Sequence, residues 1–540
     1  MTIVTLANNF FLQYNTKRNF STLWGNAEAF CPFSKKILAG GMSMRHRFIP
    51  APTLGAVPIH KIELDITSRH KLVLILMALQ HLYVNCFDVL DQILELISCD
   101  ISSDTSADNG RAGMTLWDSL VMASIRLGCD FSYDHLAELA SNHIKLRQML
   151  GLSHWDDKLY KRSTIHGNLT QLSPETIKAI DRLIVGCGHA LCSSNPLKRV
   201  RFDSFVLDKD IHYPTDASLI FDGVRKSIEI SRHLADIFGI LGWRQHDFLK
   251  KKAKRTLRKI GSIARSKAKD KQTRMKAAYI DLLEQTERIL DRSEKTIQAI
   301  EADHKALLGT MGHLSRDISD LQYYLGATEY VCDLARRRVL EGETIPNSEK
   351  VFSIFEPDTE LINRGKKPTP IEFGHRVLIG QDSAGFILHS QVMGIGVTDE
   401  KTAVDAVDSI HKHFNKKILI VSFDKGFWKP KNLEDLSERV SLAVLPRKGK
   451  CSAEDKAREN ARDFIQTRKW HSGIESAIHG LVAGNGMDVC RDKGLIGYRR
   501  YTAMAVLGRN LNTLGNILLE KERKKQQRNR AKAPLAGLVA

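Results

Sequence analysis

Apolar side chains recur three and four positions apart from Val73 to Ile97, the spacing of buried helix faces. A polar link, Ser102 to Asn109 with Gly110, closes that block. Beyond it Leu116, Leu120, Ala123 and Leu127 line one helical face, and Cys129-Asp130 break it. Ser132 then suits the N-cap of a second helix through Leu136, Leu139, Ala140 and Ile144. Helix, short turn, helix is the outline of a DNA-binding helix-turn-helix and equally of plain core packing. Ser173-Pro174-Glu175 supplies an N-cap, an N1 proline and a first-turn acid for a helix through Leu183.

The period then changes. Val200 to Leu207 is a short β-like run, and from about Val224 to Glu343 the pattern is helical again. Leu307, Met311, Leu314, Ile318, Leu321 and Leu325 step by four and three, a heptad seam that suits either a pairing of protomers or an intramolecular hairpin. Strand signals return at His375–Gly380, Phe386–Val392, Ile418–Phe423 and Leu442–Leu445. Helices are expected near Thr402–Phe414, around Leu433 and over a final stretch at Arg468–Leu481. With the long helical block treated as an insertion, the order is β, β, β, α, β, α, β, α.

Composition narrows the class. The chain has 540 residues, 43% apolar and 26% charged, which is globular and large enough for two to four domains. The longest apolar run, Leu72 to Leu79, is far short of the roughly 20 residues of a spanning helix. Asn8, Asn9 and Gln13 interrupt the place of a signal-peptide core. The nine cysteines are scattered with no C-x-x-C pair, which points to reduced thiols in a cytoplasm. Residues 1–43 lack any period, and the expectation is an unstructured or non-native extension with translation starting near Met44.

Charge changes the picture further. Lys plus Arg number 80 against 62 Asp plus Glu, a net +18 that favours a polyanionic partner. Eleven of the basic residues, with one acid, fall between Lys250 and Lys271. Seven more, again with one acid, fall between Lys521 and Lys532 in what reads as a basic, mobile tail. So lopsided a run repels itself and calls for counterions or phosphates.

Common hydrolase signatures are missing: there is no G-x-x-x-x-G-K-[ST], no H-E-x-x-H and no G-x-S-x-G. What remains is a set of acids. Asp203 lies inside the first strand, Asp424 follows the apolar run Ile418–Phe423, and Glu475 lies on the last expected helix. Hard carboxylate oxygens from separate elements suit Mg²⁺, and two such ions can serve an in-line displacement at phosphorus. Asp424 equally suits a turn or N-cap, and Glu475 a surface pair with His471 or His479.

Ordered blocks then make a family visible. They are Met114–Trp117 (MTLW), Leu146–Gly151 (LRQMLG), Asp203–Val206 (DSFV), Ile211–Asp216 (IHYPTD) and Gly242–Gln245 (GWRQ). They continue through Arg336–Pro346 (RRRVLEGETIP), Lys350–Pro357 (KVFSIFEP), Ser422–Phe427 (SFDKGF), Leu445–Lys450 (LPRKGK) and His471–Ile478 (HSGIESAI). From about Met44 to Leu519 the chain resembles bacterial insertion-sequence transposases of the ISNCY group.

That resemblance implies a DDE-type enzyme that binds terminal inverted repeats, cuts DNA strands and joins the 3′-hydroxyl ends to target DNA. It implies an α/β ribonuclease-H-like catalytic domain at 191–224 and 350–515. A helical basic and heptad insertion at 225–349, an all-α DNA-binding domain at 44–190 and a basic tail at 516–540 complete the arrangement. The catalytic and metal-binding set is Asp203, Asp424 and Glu475, with Asp208 and Asp210 as rivals for the first position. Two Mg²⁺ are the implied cofactors, with Mn²⁺ as a substitute. Arg447, Lys448, Lys450, Lys366, Lys367, Lys251, Lys252, Lys254, Arg255, Arg258 and Lys259 are the expected contacts to double-stranded DNA. A homodimer or higher synaptic assembly, associated with the nucleoid in the cytoplasm and not with a membrane, is the expected working form. Two positions depart from the family pattern: Asp358 stands where a His is expected, and Val482 where a Lys is expected. Two other readings stay open, a ribonuclease-H-like nuclease that does not join strands and a decayed, inactive DNA-binding protein.

Overall fold

The computed structural model describes residues 45–49, 54–101, 113–308, 312–365 and 370–532. The expectations for residues 1–43, for Lys366 and Lys367 and for Met311 lie outside these residues. The chain divides into two compact units, one of residues 211–361 and one that holds the remainder of the described chain. No single described helix is long and apolar enough to cross a membrane. No disulfide joins the eight cysteines among the described residues.

The larger unit is built on a seven-stranded mixed sheet. Its strands are β1 (Arg199–Lys209), β2 (Glu360–Asn363), β3 (Ile371–Asp382), β4 (Ile387–Val392), β5 (Ile420–Ser422), β6 (Leu442–Val444) and β7 (Val489–Cys490). β1 is central. It runs antiparallel to β3, which pairs antiparallel with β4, and parallel to β5, which pairs parallel with β6. β7 adds a short parallel pairing at Asp208 and Lys209. Helices Ala403–Phe414 and Pro430–Arg439 connect β4 to β5 and β5 to β6, as a parallel connection requires. Val200 and Phe202 are buried on one face of β1 and Phe205 and Leu207 on the other, so the central strand is covered on both sides.

The helices before β1 are not a separate domain. Lys71–Asn85, Phe87–Asp100, Leu116–Gly128 and Pro174–Ala190 share one continuous hydrophobic core with the sheet and with the last helix, Gly494–Lys532. All thirteen residues of Leu116–Gly128 are buried, so the first arm of the expected helix-turn-helix is core. The local signals hold: Ser132 and Ser173 cap their helices as expected, and Asp130 turns the chain at φ 58°.

The last helix is a correction. The stretch read as a final helix at Arg468–Leu481 is two helices, Arg462–His471 and Ile474–Gly484. The basic tail read at 516–540 is, through Lys532, the continuation of the 39-residue Gly494–Lys532 helix. Ahead of the tail it is buried on nearly every side, by Tyr498, Met504, Leu507, Leu511 and Leu514 as well as by small and polar residues, so no single apolar stripe marks its period. A Cβ on Gly508 would stand 2.5 Å from Gly128 N, and one on Gly515 would strike the backbone of Leu74. The two glycines let this helix press against Leu116–Gly128 and Lys71–Asn85. Asn510 Oδ1 accepts from Ile387 N at 2.8 Å, and its amide donates to Ile387 O at 2.8 Å, closing the start of β4.

The smaller unit corrects the expected insertion limits from 225–349 to 211–361. It contains helices Asp216–Phe238, His246–Arg265, Lys271–Leu308 and Gly312–Ala335, ending in a π-helical turn at Arg336–Glu341. Thr215 forms a capping box with Ser218, so the IHYPTD block opens the first of these helices. Within this unit Leu314, Ile318, Leu321 and Leu325 pack with Leu290, Ile297 and Ile300. The described part of the heptad seam is therefore an intramolecular hairpin. Each of three consecutive arginines has an acid: Arg336 with Glu287, Arg337 with Glu343 and Glu349, Arg338 with Asp216.

Candidate active site

Strand register brings the two predicted aspartates together. Arg201 on β1 is level with Ser422 on β5, and the strands run parallel. Two residues further along each chain stand Asp203, still within β1, and Asp424, just past the end of β5. The charge of Asp424 acts on Asp203, and so does that of Asp399, against a weaker pull from Arg364. Burial is the larger cause, and together they push the Asp203 carboxyl up to about 6. Ser204 N donates to Asp203 Oδ1 at 2.8 Å.

Asp424 caps a 3-10 turn, Lys425–Phe427, and accepts a hydrogen bond from Gly426 N. Gly426 is the residue that fits here. A Cβ would lie 2.9 Å from Asp424 Oδ1 and 3.4 Å from Asp399 Oδ2. Phe423 stacks on Phe202 at 4.8 Å with nearly parallel rings, which fixes the strand end that precedes Asp424.

The rivals for the first position stand elsewhere. Asp208 is five residues further along β1, and burial with Glu372 nearby pushes its carboxyl up to about 6. Asp210 is exposed, 3.9 Å from Lys493 Nζ. Of the three, only Asp203 is level with Asp424.

Asp399 is the residue sequence reading missed. It opens a 3-10 turn after β4, where an acid before a helix reads as a simple first-turn charge. Its Oδ2 lies 3.7 Å from Arg376 Nη1, while its buried Oδ1 has no hydrogen-bond partner among the described residues. Three carboxylates with one orphaned oxygen are the hard donor set a divalent cation neutralises. Even so, among the described residues no three His, Cys, Asp or Glu side chains are grouped closely enough to hold one ion.

Glu475 is exposed, in the first turn of Ile474–Gly484. No interaction joins it to Asp203 or Asp424 among the described residues. Its neighbour His471 is half-buried. Burial lowers the imidazole from its ordinary range, against the pull of Asp424. Within the HSGIE block it is His471 that feels the charge of Asp424, and Ile474 is buried.

No family model, curated protein or solved structure matches the chain. The geometry therefore carries the functional reading.

The expected DNA contacts divide. Arg447 is ion-paired with Asp455 and its backbone N donates to Glu459, so this guanidinium is already engaged within the protein. Lys448 and Lys450 are exposed on the turn around Gly449, whose φ is 91°. In the smaller unit, Ala253, Thr256, Ile260 and Ile263 face inward from His246–Arg265. Lys251, Lys254, Arg255, Arg258 and Lys259 face solvent without an ion-pair partner among the described residues, and Lys252 is half-buried. Lys250 is the exception, near Glu229 and Asp247.

Proposed function

We propose that the chain is a DDE transposase of an ISNCY-type bacterial insertion sequence, acting on double-stranded DNA in the cytoplasm. The observation that supports it most is the level placement of Asp203, inside the central strand, beside Asp424, at the end of the next parallel strand. The strand–helix order around them is the one expected of a ribonuclease-H-like domain.

In this reading Asp203 and Asp424 hold Mg²⁺, or Mn²⁺ in its place, with Glu475 brought in from its exposed helix when DNA is bound. The bound metal would supply activation of the attacking oxygen and stabilisation of the leaving one. The protein holds the phosphodiester in line. A water oxygen bonds to phosphorus as the bond to the 3′ oxygen breaks, releasing a 3′-hydroxyl. That hydroxyl then attacks a target phosphodiester in the same way, and one site serves both steps. Lys448, Lys450 and the exposed face of His246–Arg265 supply backbone contacts, in a synaptic assembly of two or more copies.

Strand cleavage and joining on a duplex carrying the DNA that flanks the gene tests this. Asp203→Asn and Asp424→Asn are expected to abolish both products while leaving DNA binding intact. Cleavage unchanged in either variant defeats the assignment, and cleavage without a joined product leaves a nuclease. The exposure of Glu475 favours a second reading, a DNA-binding protein without chemistry, for which the wild type would bind ends and never cut.

A further inference from the structure

The break between Arg462–His471 and Ile474–Gly484 has a physical cause on β1. Arg201 lies on the same face of β1 as Asp203, two residues away. Its Nη1 donates to Trp470 O at 2.7 Å, and its Nε and Nη2 donate to Gln381 Oε1 at 3.0 and 2.6 Å. Gln381 is the cross-strand partner of Arg201 on β3, and its own amide donates to Gly385 O at 3.1 Å. The guanidinium also lies over the Trp470 ring, 4.6 Å from its centroid. It is thus anchored on three sides, and one anchor is a carbonyl near the helix end.

Gly473 sits against this guanidinium. A Cβ there would fall 3.0 Å from Arg201 Cζ and closer still to Nη1. The backbone of Gly473 has φ −68° and ψ −6°, which any residue can adopt. Glycine is needed for room and not for conformation. Two residues later comes Glu475.

We propose that Arg201 is a positioning residue that sets where the Glu475-bearing helix begins relative to Asp203, with Gly473 as its steric partner. The consequence for catalysis rests on the transposase reading; the positional statement does not.

The test uses the full chain with Arg201→Ala, Arg201→Lys, Gly473→Ala and the Arg201→Ala/Gly473→Ala double variant. One readout is hydrogen exchange of the amides at 472–476. The other is the kcat and KM of Mg²⁺-dependent cleavage of a duplex carrying the flanking DNA. Either alanine variant is expected to speed exchange at these amides at least tenfold and lower kcat at least tenfold, with KM unchanged. Arg201→Lys keeps the charge without the fork and is expected to restore only part of both. In the double variant the guanidinium is gone, so Gly473→Ala should add almost nothing. Unchanged exchange in Arg201→Ala, or additive effects in the double variant, overturns the proposal. If Arg201→Ala does not fold, Gln381→Ala removes one anchor and carries the same comparison. A wild type that never cuts defeats the transposase reading, while exchange still decides the role of Arg201.

Discussion

Arg126 and Asp492, 366 positions apart in the chain, form a two-pronged ion pair, Nη2 to Oδ1 at 2.5 Å and Nη1 to Oδ2 at 3.0 Å. Their side chains are 2% and 8% exposed. Arg126 also lies 3.9 Å from the ring centroid of Tyr133. The pair joins the helices before β1 to the start of the last helix, and explains why the N-terminal segment is no separate domain. Removing one partner leaves a buried charge alone. Asp492→Ala is therefore expected to cost about 3–5 kcal/mol in denaturant unfolding. The Arg126→Met/Asp492→Leu double variant should recover much of that loss.

Asp181 makes stability depend on pH. It is buried, Asn510 Nδ2 donates to its two oxygens at 2.9 and 3.0 Å, and burial pushes its carboxyl up to about 7. The folded state then holds a proton that the unfolded chain releases near pH 4. The contribution is full below about pH 4 and is lost as pH rises toward 7. Wild-type stability, relative to Asp181→Asn, is expected to fall by roughly 2–4 kcal/mol between pH 4 and 8. Parallel unfolding curves for the two proteins across that range would refute it.

Gly508 and Gly261 make opposite cases of one substitution. Gly508→Ala drives a methyl into Gly128 and is expected to destabilise by about 1–3 kcal/mol. Gly261 also lies inside a helix, but nothing stands within 4 Å of its added Cβ. Gly261→Ala is expected to be neutral or to stabilise by up to about 1 kcal/mol. Thermal unfolding of both variants checks the pair.

The basic face of His246–Arg265 predicts a salt effect. Replacing Lys251, Lys254, Arg255 and Arg258 with Gln leaves the inward face untouched. If each contacts one phosphate, the slope of log K against log salt should shrink by about 3–4. Duplex binding measured at several salt concentrations reads it directly, and an unchanged slope removes this helix from the interface.

Much of the secondary structure was legible locally. Ser132, Ser173 and Pro174 announce helix starts because capping is a matter of neighbouring atoms. The apolar strands announced themselves by run length and alternation. The last helix did not, since ahead of its tail it is buried on nearly every side and shows no single apolar stripe, and Gly508, Asn510, Asn512 and Gly515 meet partners far away in the chain.

For the candidate site the division is similar. The sequence alone determined that Asp203 lies in a strand and that Asp424 ends one, since these depend on short runs of neighbours. It could not determine that the two stand level, because that depends on the register of β1 with β5 across more than two hundred residues. Nor could it reveal Asp399 beside them, or the guanidinium of Arg201 against Gly473. Local order follows from adjacent side chains; which distant side chains meet is settled only when strands and helices bury their faces against one another.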